Sequence, residues 1–225
     1  MSGRVPPGSL LTFDCYGTLI DWERGILRAL RDAHPSLARL PDQALLASFH
    51  EAQNELKTGE YRSYRELLTR TTRRVASGRS DLDPARDVRV AASIPEWEPF
   101  PDTNDALERL AEAGMTLGIL SNIDDDLLAA TLEHFTVSFS RLGTAERLRS
   151  YKPASAHFEL GRAWARDHPA WLHVAQSLFH DVIPASRLDV PVLWVNRKAE
   201  PRPEDVRPVH VAPDLSGAAD WILGA

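Results

Sequence analysis

The chain has 225 residues, and a hydrophobic content of 43% is enough for one substantial core and a smaller appended unit. The formal net charge of -6 argues against nucleic acid and anionic membranes as partners and favours a small molecule. The single cysteine, Cys15, excludes an intrachain disulfide, and no CxxC or HExxH zinc spacing occurs. No stretch approaches membrane-spanning length or forms a signal peptide, so we expect a cytoplasmic protein.

The first predicted strand is the apolar run Ser9–Thr12, and it ends just before Asp14. In open α/β sheets, ligands bind beyond the carboxyl ends of such strands, which places Asp14 well for a nucleophile. Gly17 allows the backbone to turn back over the carboxylate, and Thr18 offers a hydroxyl and an amide to a bound anion.

Between residues 21 and 98 the hydrophobic spacing is helical throughout. We predict four helices, which contain Ile26–Leu30 and Leu45–Leu56 and cover Tyr64–Val75 and Pro84–Ala92. The fourth begins with proline, which suits the first turn of a helix. No strand pattern interrupts this region, so we predict a four-helix cap inserted after the first strand.

From residue 99 onwards, strands and helices alternate, which predicts a parallel sheet. The predicted helices are 103–113, 125–135, 154–167 and 215–223. The predicted strands are 115–120, 137–140, 172–175, 190–195 and 209–211. Prolines and charges at 198–204 predict a flexible surface segment. The predicted fold is therefore α/β: a Rossmann-like parallel-sheet core of residues 1-20 and 99-225 with a helical cap of residues 21-98.

Polar residues follow the next predicted strand as well. Ser121 and Asn122 come at its end and should project beside Asp14, where a hydroxyl and an amide could hold an anion. The alternative is an ordinary strand-to-helix turn in which Asn122 or Asp124 caps the helix that follows. The sequence favours neither interpretation.

Two later segments add charged candidates. Lys152 stands just before a helix that begins with proline; taken alone, it would be a solvated surface lysine. Asp181 lies in a polar turn after the strand that contains His173, where it could orient Lys152, activate a water molecule, or merely cap the next turn. Asp14 and Asp181 alone would hold a magnesium ion only weakly.

The run Asp14-Cys15-Tyr16-Gly17-Thr18 resembles the first motif of the haloacid dehalogenase superfamily, in its dehalogenase form DxYGT. Ser121, Lys152 and Asp181 follow in the superfamily's order, and the likeness covers about the whole chain. Within the superfamily it is greatest to the type II, or L-2-haloacid, dehalogenases. Phosphatases of the superfamily have a second aspartate, a general acid, where this chain has Tyr16.

The resemblance implies a reaction without a metal or other cofactor. Asp14 would displace halide from C2 of a short carboxylic acid, and water would hydrolyse the aspartyl ester to a 2-hydroxy acid. Lys152, Thr18 and Ser121 would keep Asp14 ionised or fix the substrate carboxylate. The catalytic residues expected are Asp14, Thr18, Ser121, Lys152 and Asp181. The substrate-binding residues expected are Cys15, Tyr16, Asn122, Phe179 and His180.

The chain departs from the dehalogenase pattern at three places. Gln176 and Leu178 replace a serine and the asparagine of the SSNxxD motif, and Phe158 replaces a tyrosine. The halide-binding arginine of the cap has no secure match. Its candidates are Arg62, Arg65 and His50, and aromatic residues available for the cap interface are Trp22, Tyr61, Tyr64 and Trp97.

Two other functions remain open. One is an atypical magnesium-dependent phosphatase of small phosphate esters, and the other is a non-catalytic relative whose cleft binds a metabolite or a partner. The resemblance also implies a homodimer formed through cap or core.

Overall fold

The computed structural model describes residues 4–57, 60–79, 81 and 83–225. Within these residues, six parallel strands form one sheet in the order β3-β2-β1-β4-β5-β6. The strands are β1 Leu10–Phe13, β2 Thr116–Ser121, β3 Arg141–Thr144, β4 Trp171–Ala175, β5 Val192–Val195 and β6 His210–Ala212. This confirms the predicted α/β fold.

The central strands are covered on both faces, which explains why they are almost continuously apolar. All residues of β1 and β5 are buried, as are all but the first of β2 and β4. After β3 the chain returns to the far side of β1, so the strand order reverses between β1 and β4. A reversal of this kind opens a crevice at the carboxyl edge, where ligands bind in α/β sheets.

The helices pack around the sheet and above that edge. They are α1 Trp22–Ala33, α2 Asp42–Leu56, α3 Tyr64–Ala76, α4 Pro84–Ala92, α5 Thr103–Glu112, α6 Asp125–Leu132, α7 Ala145–Leu148, α8 Ala156–Trp164, α9 Ile183–Arg187 and α10 Leu215–Leu223. Side chains of Asp21, Ser63 and Asp83 cap α1, α3 and α4, and Pro84 follows its cap as predicted.

The described residues between β1 and α5 contain α1 to α4 and no strand longer than an isolated bridge. The chain leaves and re-enters the core at neighbouring points, because Asp21 N donates to Glu98 O at 2.9 Å and Ile20 pairs with Pro99. This pairing supports the proposed division into a core of residues 1-20 and 99-225 and a cap of residues 21-98.

The strand predicted at 137–140 is wrong, since β3 begins at Arg141. Phe139 packs edge-on against Phe13 and Phe135, so the apolar residues that suggested a strand belong to a loop that covers the core. The edge strand itself is less apolar and contains Gly143, where a Cβ would lie 2.8 Å from Leu120 Cδ2. Predicted boundaries elsewhere differ by a few residues.

Helix 154–167 is shorter than predicted, and two elements were not predicted at all. α8 ends at Trp164 and continues as a 3₁₀ turn, Ala165–Asp167. α7 was missed because it has only one turn, and α9 because it follows directly on a π-helical turn, Leu178–Val182.

Helix α1 packs closely on Trp97 because Gly25 has no side chain. A Cβ at Gly25 would lie 2.4 Å from Trp97 Cγ. We expect Gly25→Ala to lower the free energy of unfolding by about 1–2 kcal/mol, since the clash exceeds the about 1 kcal/mol that alanine adds to helix propensity. Chemical denaturation measures this. Gly217→Ala in α10 is the matched control, with its nearest contact at 3.3 Å, and equal effects of both changes would contradict the prediction.

Candidate active site

Asp14 lies directly after β1, at the crevice, and is almost completely buried. Its Oδ1 accepts a hydrogen bond from Lys152 Nζ at 2.9 Å, and its Oδ2 accepts one from Thr18 Oγ1, also at 2.9 Å. The chain turns back at Gly17, whose φ of 104° favours glycine. A buried carboxylate is thus held by two donors at the end of the strand.

Lys152 binds three oxygens and is 1% exposed, so it is not a surface lysine. Its Nζ donates to Asp14 Oδ1, to Asp181 Oδ1 at 2.6 Å and to Leu120 O at 2.8 Å. Asn122 holds its backbone, since Lys152 N donates to Asn122 Oδ1 at 2.7 Å and Asn122 Nδ2 donates to Lys152 O at 3.1 Å. The ammonium therefore lies between the two carboxylates.

Asp181 is oriented by donors on one of its oxygens. Its Oδ1 accepts from Lys152 and from His173 Nε2, the latter at 3.0 Å, whereas its buried Oδ2 has no partner among the described residues. The interpretation of Asp181 as a cap is wrong, because Ser177 Oγ accepts the hydrogen bond of His180 N at the start of this turn. Asp181 is thus left with a free acceptor.

The three charges shift one another's pKa values. Burial raises the pKa of Asp14, with Asp181 adding to the rise and Lys152 opposing it. Burial also raises the pKa of Asp181, but Lys152 and His173 outweigh this and hold it well below its usual range. Burial lowers the pKa of Lys152, and the two carboxylates outweigh that effect and raise it. The ammonium and the Asp181 carboxylate therefore stay charged near neutral pH.

A cavity of about 370 Å³ opens above these groups. Ser121 lines it from the end of β2, and its buried Oγ has no partner among the described residues. Other lining residues of the core are Asn122, Gln176, Ser177, Leu178, Phe179, His180, Lys198 and Glu200. Ser121 Oγ and Asp181 Oδ2 are therefore two buried polar atoms available to a ligand.

The opposite wall of the cavity comes from the cap. Trp22 and Phe49 provide apolar surface, and α2 with its C-cap contributes His50, Gln53, Asn54 and Lys57. These last four are spaced by three or four residues and therefore share one helix face. Tyr64, at the start of α3, completes this wall.

Lys57 was not predicted as a site residue. Its Nζ lies 3.4 Å from His180 Nε2, and it forms no ion pair with any described carboxylate. Burial, with a smaller contribution from Lys152, lowers its pKa to about 8. Burial and the neighbouring Lys57 lower the pKa of His180 to about 3, so that imidazole is neutral. The helical spacing from His50 is the signal that could have identified Lys57.

The structure does not bring every predicted residue to the cavity. Cys15 is fully buried outside the lining, and burial raises its pKa well above the usual value, which makes it a poor nucleophile. Thr18 also lies outside the lining; its Oγ1 donates to Asp14 Oδ2 and accepts a hydrogen bond from Gln176 N at 2.9 Å. Arg62 and Arg65 point elsewhere and pair with Glu66 and Asp126.

The aromatic candidates are divided between lining and packing roles. Trp22 and Tyr64 line the cavity, whereas Tyr61 stacks on Tyr151 and Trp97 packs on Gly25. Tyr16 lines it as well, and its hydroxyl lies 2.8 Å from Thr131 Oγ1. Burial raises the pKa of Tyr16 well above its usual value, which makes it a poor proton donor. Phe179 is 60% exposed at the cavity margin, beside His180.

A family model described as haloacid dehalogenase-like hydrolase matches residues 9–163. The chain belongs to this family. It is 25% identical to an (S)-2-haloacid dehalogenase of Pseudomonas putida, over 96% of each chain. Among solved structures it resembles an L-2-haloacid dehalogenase at a TM-score of 0.81, with 23% identity over 96% of this chain and 99% of that one.

A second solved structure is the Xanthobacter autotrophicus L-2-haloacid dehalogenase with chloropropionic acid covalently bound. Its TM-score is 0.79 and its identity is 21%, over 96% of this chain and 98% of that one. The TM-scores show that the fold is shared, and at identities this low the two structures show nothing beyond the fold. The match to the family model, over residues 9–163, is what assigns the chain to the haloacid dehalogenase-like hydrolases.

Among the residues that the model describes, no group of three or more His, Cys, Asp or Glu side chains is arranged to hold a metal ion. In the same residues, no helix is both long and apolar enough to cross a membrane.

Asp124 joins the cap to the core instead of capping its own helix by its side chain. Its two carboxylate oxygens accept hydrogen bonds from Tyr64 N at 2.7 Å and Arg65 N at 2.9 Å, at the N-terminus of α3. The contact fixes the end of α3 that carries Tyr64 into the cavity wall. The interpretation of Asp124 as a side-chain cap of the following helix is therefore wrong.

We expect Asp124→Ala to lower the free energy of unfolding by about 1–2 kcal/mol, because two helix N–H groups lose their acceptor. Asp126→Ala is the matched control, since Asp126 contacts the same Arg65 through an exposed ion pair worth about 0–1 kcal/mol. Urea denaturation compares the two variants. Equal losses would show that Asp124 contributes only a surface charge.

Proposed function

We propose that the protein is a metal-independent hydrolase of short 2-haloacids that works through an aspartyl ester on Asp14. The observation that carries the proposal is the position of the Lys152 ammonium, within 2.9 Å of both Asp14 and Asp181. A divalent cation bound by the same two oxygens would have to displace this buried lysine. The relatives named as (S)-2-haloacid dehalogenases support the same substrate class.

The first step is a displacement at carbon. A carboxylate oxygen of Asp14 attacks C2 of the substrate, and the halide leaves with the bonding electrons. Lys152 and Thr18 keep the attacking group oriented, and each carboxylate oxygen still has a lone pair beyond its hydrogen bond. The buried Ser121 Oγ is a donor for the substrate carboxylate.

The second step is hydrolysis of the ester by water. Water attacks Cγ of Asp14, and Asp181 Oδ2 is the acceptor that lies free to take its proton. Gln176 and Leu178 replace the first serine and the asparagine of the SSN pattern, so the asparagine amide of the related dehalogenases is absent. Asp181 therefore contributes more to positioning the hydrolytic water than it would beside such an asparagine.

Lys57 supplies the positive charge that an anionic substrate needs. Asp14, Lys152 and Asp181 together carry one net negative charge, which repels a carboxylate. Lys198 also lines the cavity, but it pairs with Glu23. Lys57 has no such partner among the described carboxylates, so it is the cation that we assign to the substrate carboxylate or the departing halide.

A magnesium-dependent phosphatase is disfavoured by the residue at position 16. Tyr16 stands where the general acid is required, and its raised pKa makes it a poor donor to a leaving alkoxide. A non-catalytic binding protein would not need the buried, charged arrangement of Asp14, Lys152 and Asp181, since buried ion pairs are costly.

Halide release tests the proposal directly. We expect the protein to release halide from S-2-chloropropionate or chloroacetate in excess EDTA, and Asp14→Asn to lower the rate by about 10³-fold or more because it removes the nucleophile. Asp126→Asn, at the surface, is the control variant. Cleavage of p-nitrophenyl phosphate only with added magnesium, and no halide release, would establish the phosphatase instead.

The pH dependence tests Lys57. Its pKa is lowered to about 8, so the charged form is present below that pH and is lost above it. We expect kcat/KM for a 2-haloacid to fall above about pH 8, because kcat/KM reports the free enzyme. Lys57→Arg should move this fall to higher pH, since arginine keeps its charge.

An uncharged variant of Lys57 measures how much its charge contributes to substrate binding. We expect Lys57→Met to raise KM about 10- to 100-fold through loss of a charge-assisted contact, whereas Lys198→Met changes it by about threefold or less. Steady-state kinetics at pH 7 measure both. Equal effects of the two variants would remove Lys57 from the substrate site.

A further inference from the structure

A row of buried polar side chains leads from the middle of the sheet to Asp181. Trp171 Nε1 donates to Thr12 Oγ1 at 2.8 Å, and Thr12 Oγ1 lies 3.0 Å from His173 Nδ1. His173 Nε2 in turn lies 3.0 Å from Asp181 Oδ1. Thr12 in β1 and His173 in β4 are direct partners in the strand register. The two proposed reaction steps use Asp181, but they do not use Trp171, Thr12 or His173.

The donors and acceptors of the row favour one tautomer of the imidazole. An ionised carboxylate only accepts, so His173 Nε2 carries the proton that it shares with Asp181. An indole N–H only donates, so Trp171 leaves the hydroxyl proton of Thr12 free to go to His173 Nδ1. A ring with its proton on Nε2 alone satisfies every member of the row.

Burial makes this arrangement unusual for a strand. Thr12 and His173 are both fully buried, at positions in central parallel strands that are normally apolar. The ring is also held by an edge-on contact with Phe158, with centroids 5.8 Å apart. Buried polar groups are costly unless they are paired, so an apolar pair would serve packing alone equally well.

The row determines which oxygen of Asp181 is free. Lys152 and His173 both donate to Oδ1, so the carboxylate cannot rotate without losing a bond, and Oδ2 remains without a protein partner. When Asp14 becomes an ester it loses its charge, and Lys152 loses one of its two ionic partners. The bond from His173 does not depend on the charge of Asp14.

We propose that His173, held in one tautomer by Thr12, is a positioning residue that aims Asp181 Oδ2 at the water of ester hydrolysis. This inference rests on the proposed function. In that step the water oxygen bonds to Asp14 Cγ, and the water proton passes to Asp181 Oδ2. The bond from Cγ to the substrate oxygen then breaks, that oxygen takes the proton from Asp181, and the resulting Asp14 acid loses its proton to solvent.

The role proposed for His173 concerns ester hydrolysis and leaves the displacement step unaffected. Removal of the His173 donor should spare displacement, which uses Asp14, and slow hydrolysis, which uses Asp181. A histidine that served only packing would affect both steps equally or neither.

Transient kinetics with S-2-chloropropionate test this separation. His173→Phe should keep a burst of about one halide per active site, followed by a steady state slowed about 10- to 100-fold. The aspartyl ester should accumulate and be visible in the intact protein mass. His173→Gln, which keeps an N–H donor, should recover part of the rate. A burst slowed as much as the steady state, or no change in either, would overturn the proposal.

The pH profile gives a second readout. Titratable groups around Asp181 are Asp14 after β1, Lys152 before α8, His157 in α8, His173 in β4 and His180 in the same turn. A hydrogen bond to a carboxylate lowers its pKa, so losing His173 raises the pKa of Asp181. The acidic limb of ester hydrolysis should therefore move to higher pH in His173→Phe and stay in place in His173→Gln.

Thr12 provides variants that leave the imidazole intact, should His173→Phe fail to fold. Thr12→Val removes the donor to Nδ1 at nearly constant volume and should slow hydrolysis in the same direction, whereas Thr12→Ser should not. Equal rates for both would contradict the role of the tautomer.

Histidine ¹⁵N spectra of the unliganded wild-type protein test the row without any substrate. An unprotonated Nδ1 and a protonated Nε2 on His173 would support it, and a protonated Nδ1 would overturn it. Failure of the proposed function is distinguishable, because it would appear as absent halide release in the wild type whatever the spectra show.

Discussion

A buried ammonium is stable only where opposite charge surrounds it, and the site is organised around that requirement. Lys152 is 1% exposed and binds Asp14, Asp181 and the carbonyl of Leu120. Asp14 follows β1, Leu120 lies near the end of β2, and Asp181 lies in the π-helical turn after β4, so the carboxyl ends of three strands must converge for the charges to balance. Removing one partner of such an arrangement costs about 3–5 kcal/mol, because a charge is left buried and unpaired. The register of the sheet therefore also determines where the charged groups of the site lie.

The cap meets the core through interactions of a different kind. Asp124 binds two backbone N–H groups of α3 and fixes one end of the cap, whereas Lys57 and His50 face the cavity from α2. The core thus holds the two carboxylates, and the cap supplies the opposite wall of the cavity. Under the proposed function, substitutions on the cavity face of α2 would change the acid that is accepted without disturbing the charges around Lys152.

The sequence predicts the core of the site better than its surroundings. Asp14, Ser121 and Lys152 follow strands or precede helices with strong local signals, so their convergence can be inferred from α/β topology. The role of His173 could not be inferred, because it depends on the register of β1 with β4. The spacing of Lys57 from His50 indicates a shared helix face, but only the docking of the cap shows that this face lines the cavity. The apolar loop at Phe139 misled the strand prediction, because covering a core and lying within a sheet require the same residues.

In the proposed reaction, charge balance explains why Lys57, which forms no ion pair with a described carboxylate, belongs to the cap. The free site holds two carboxylates and one ammonium, so an entering 2-haloacid anion would bring the local charge to two negatives without Lys57. In the proposed displacement, Asp14 becomes a neutral ester and its charge moves to the halide, an anion that needs a cation to hold it. Lys57, on the cap, can attract the anion before the reaction and stay near the halide after it. Burial lowers the pKa of Lys57 to about 8 because its ammonium group is already partly desolvated in the folded protein. Binding an anion beside it therefore costs little further desolvation.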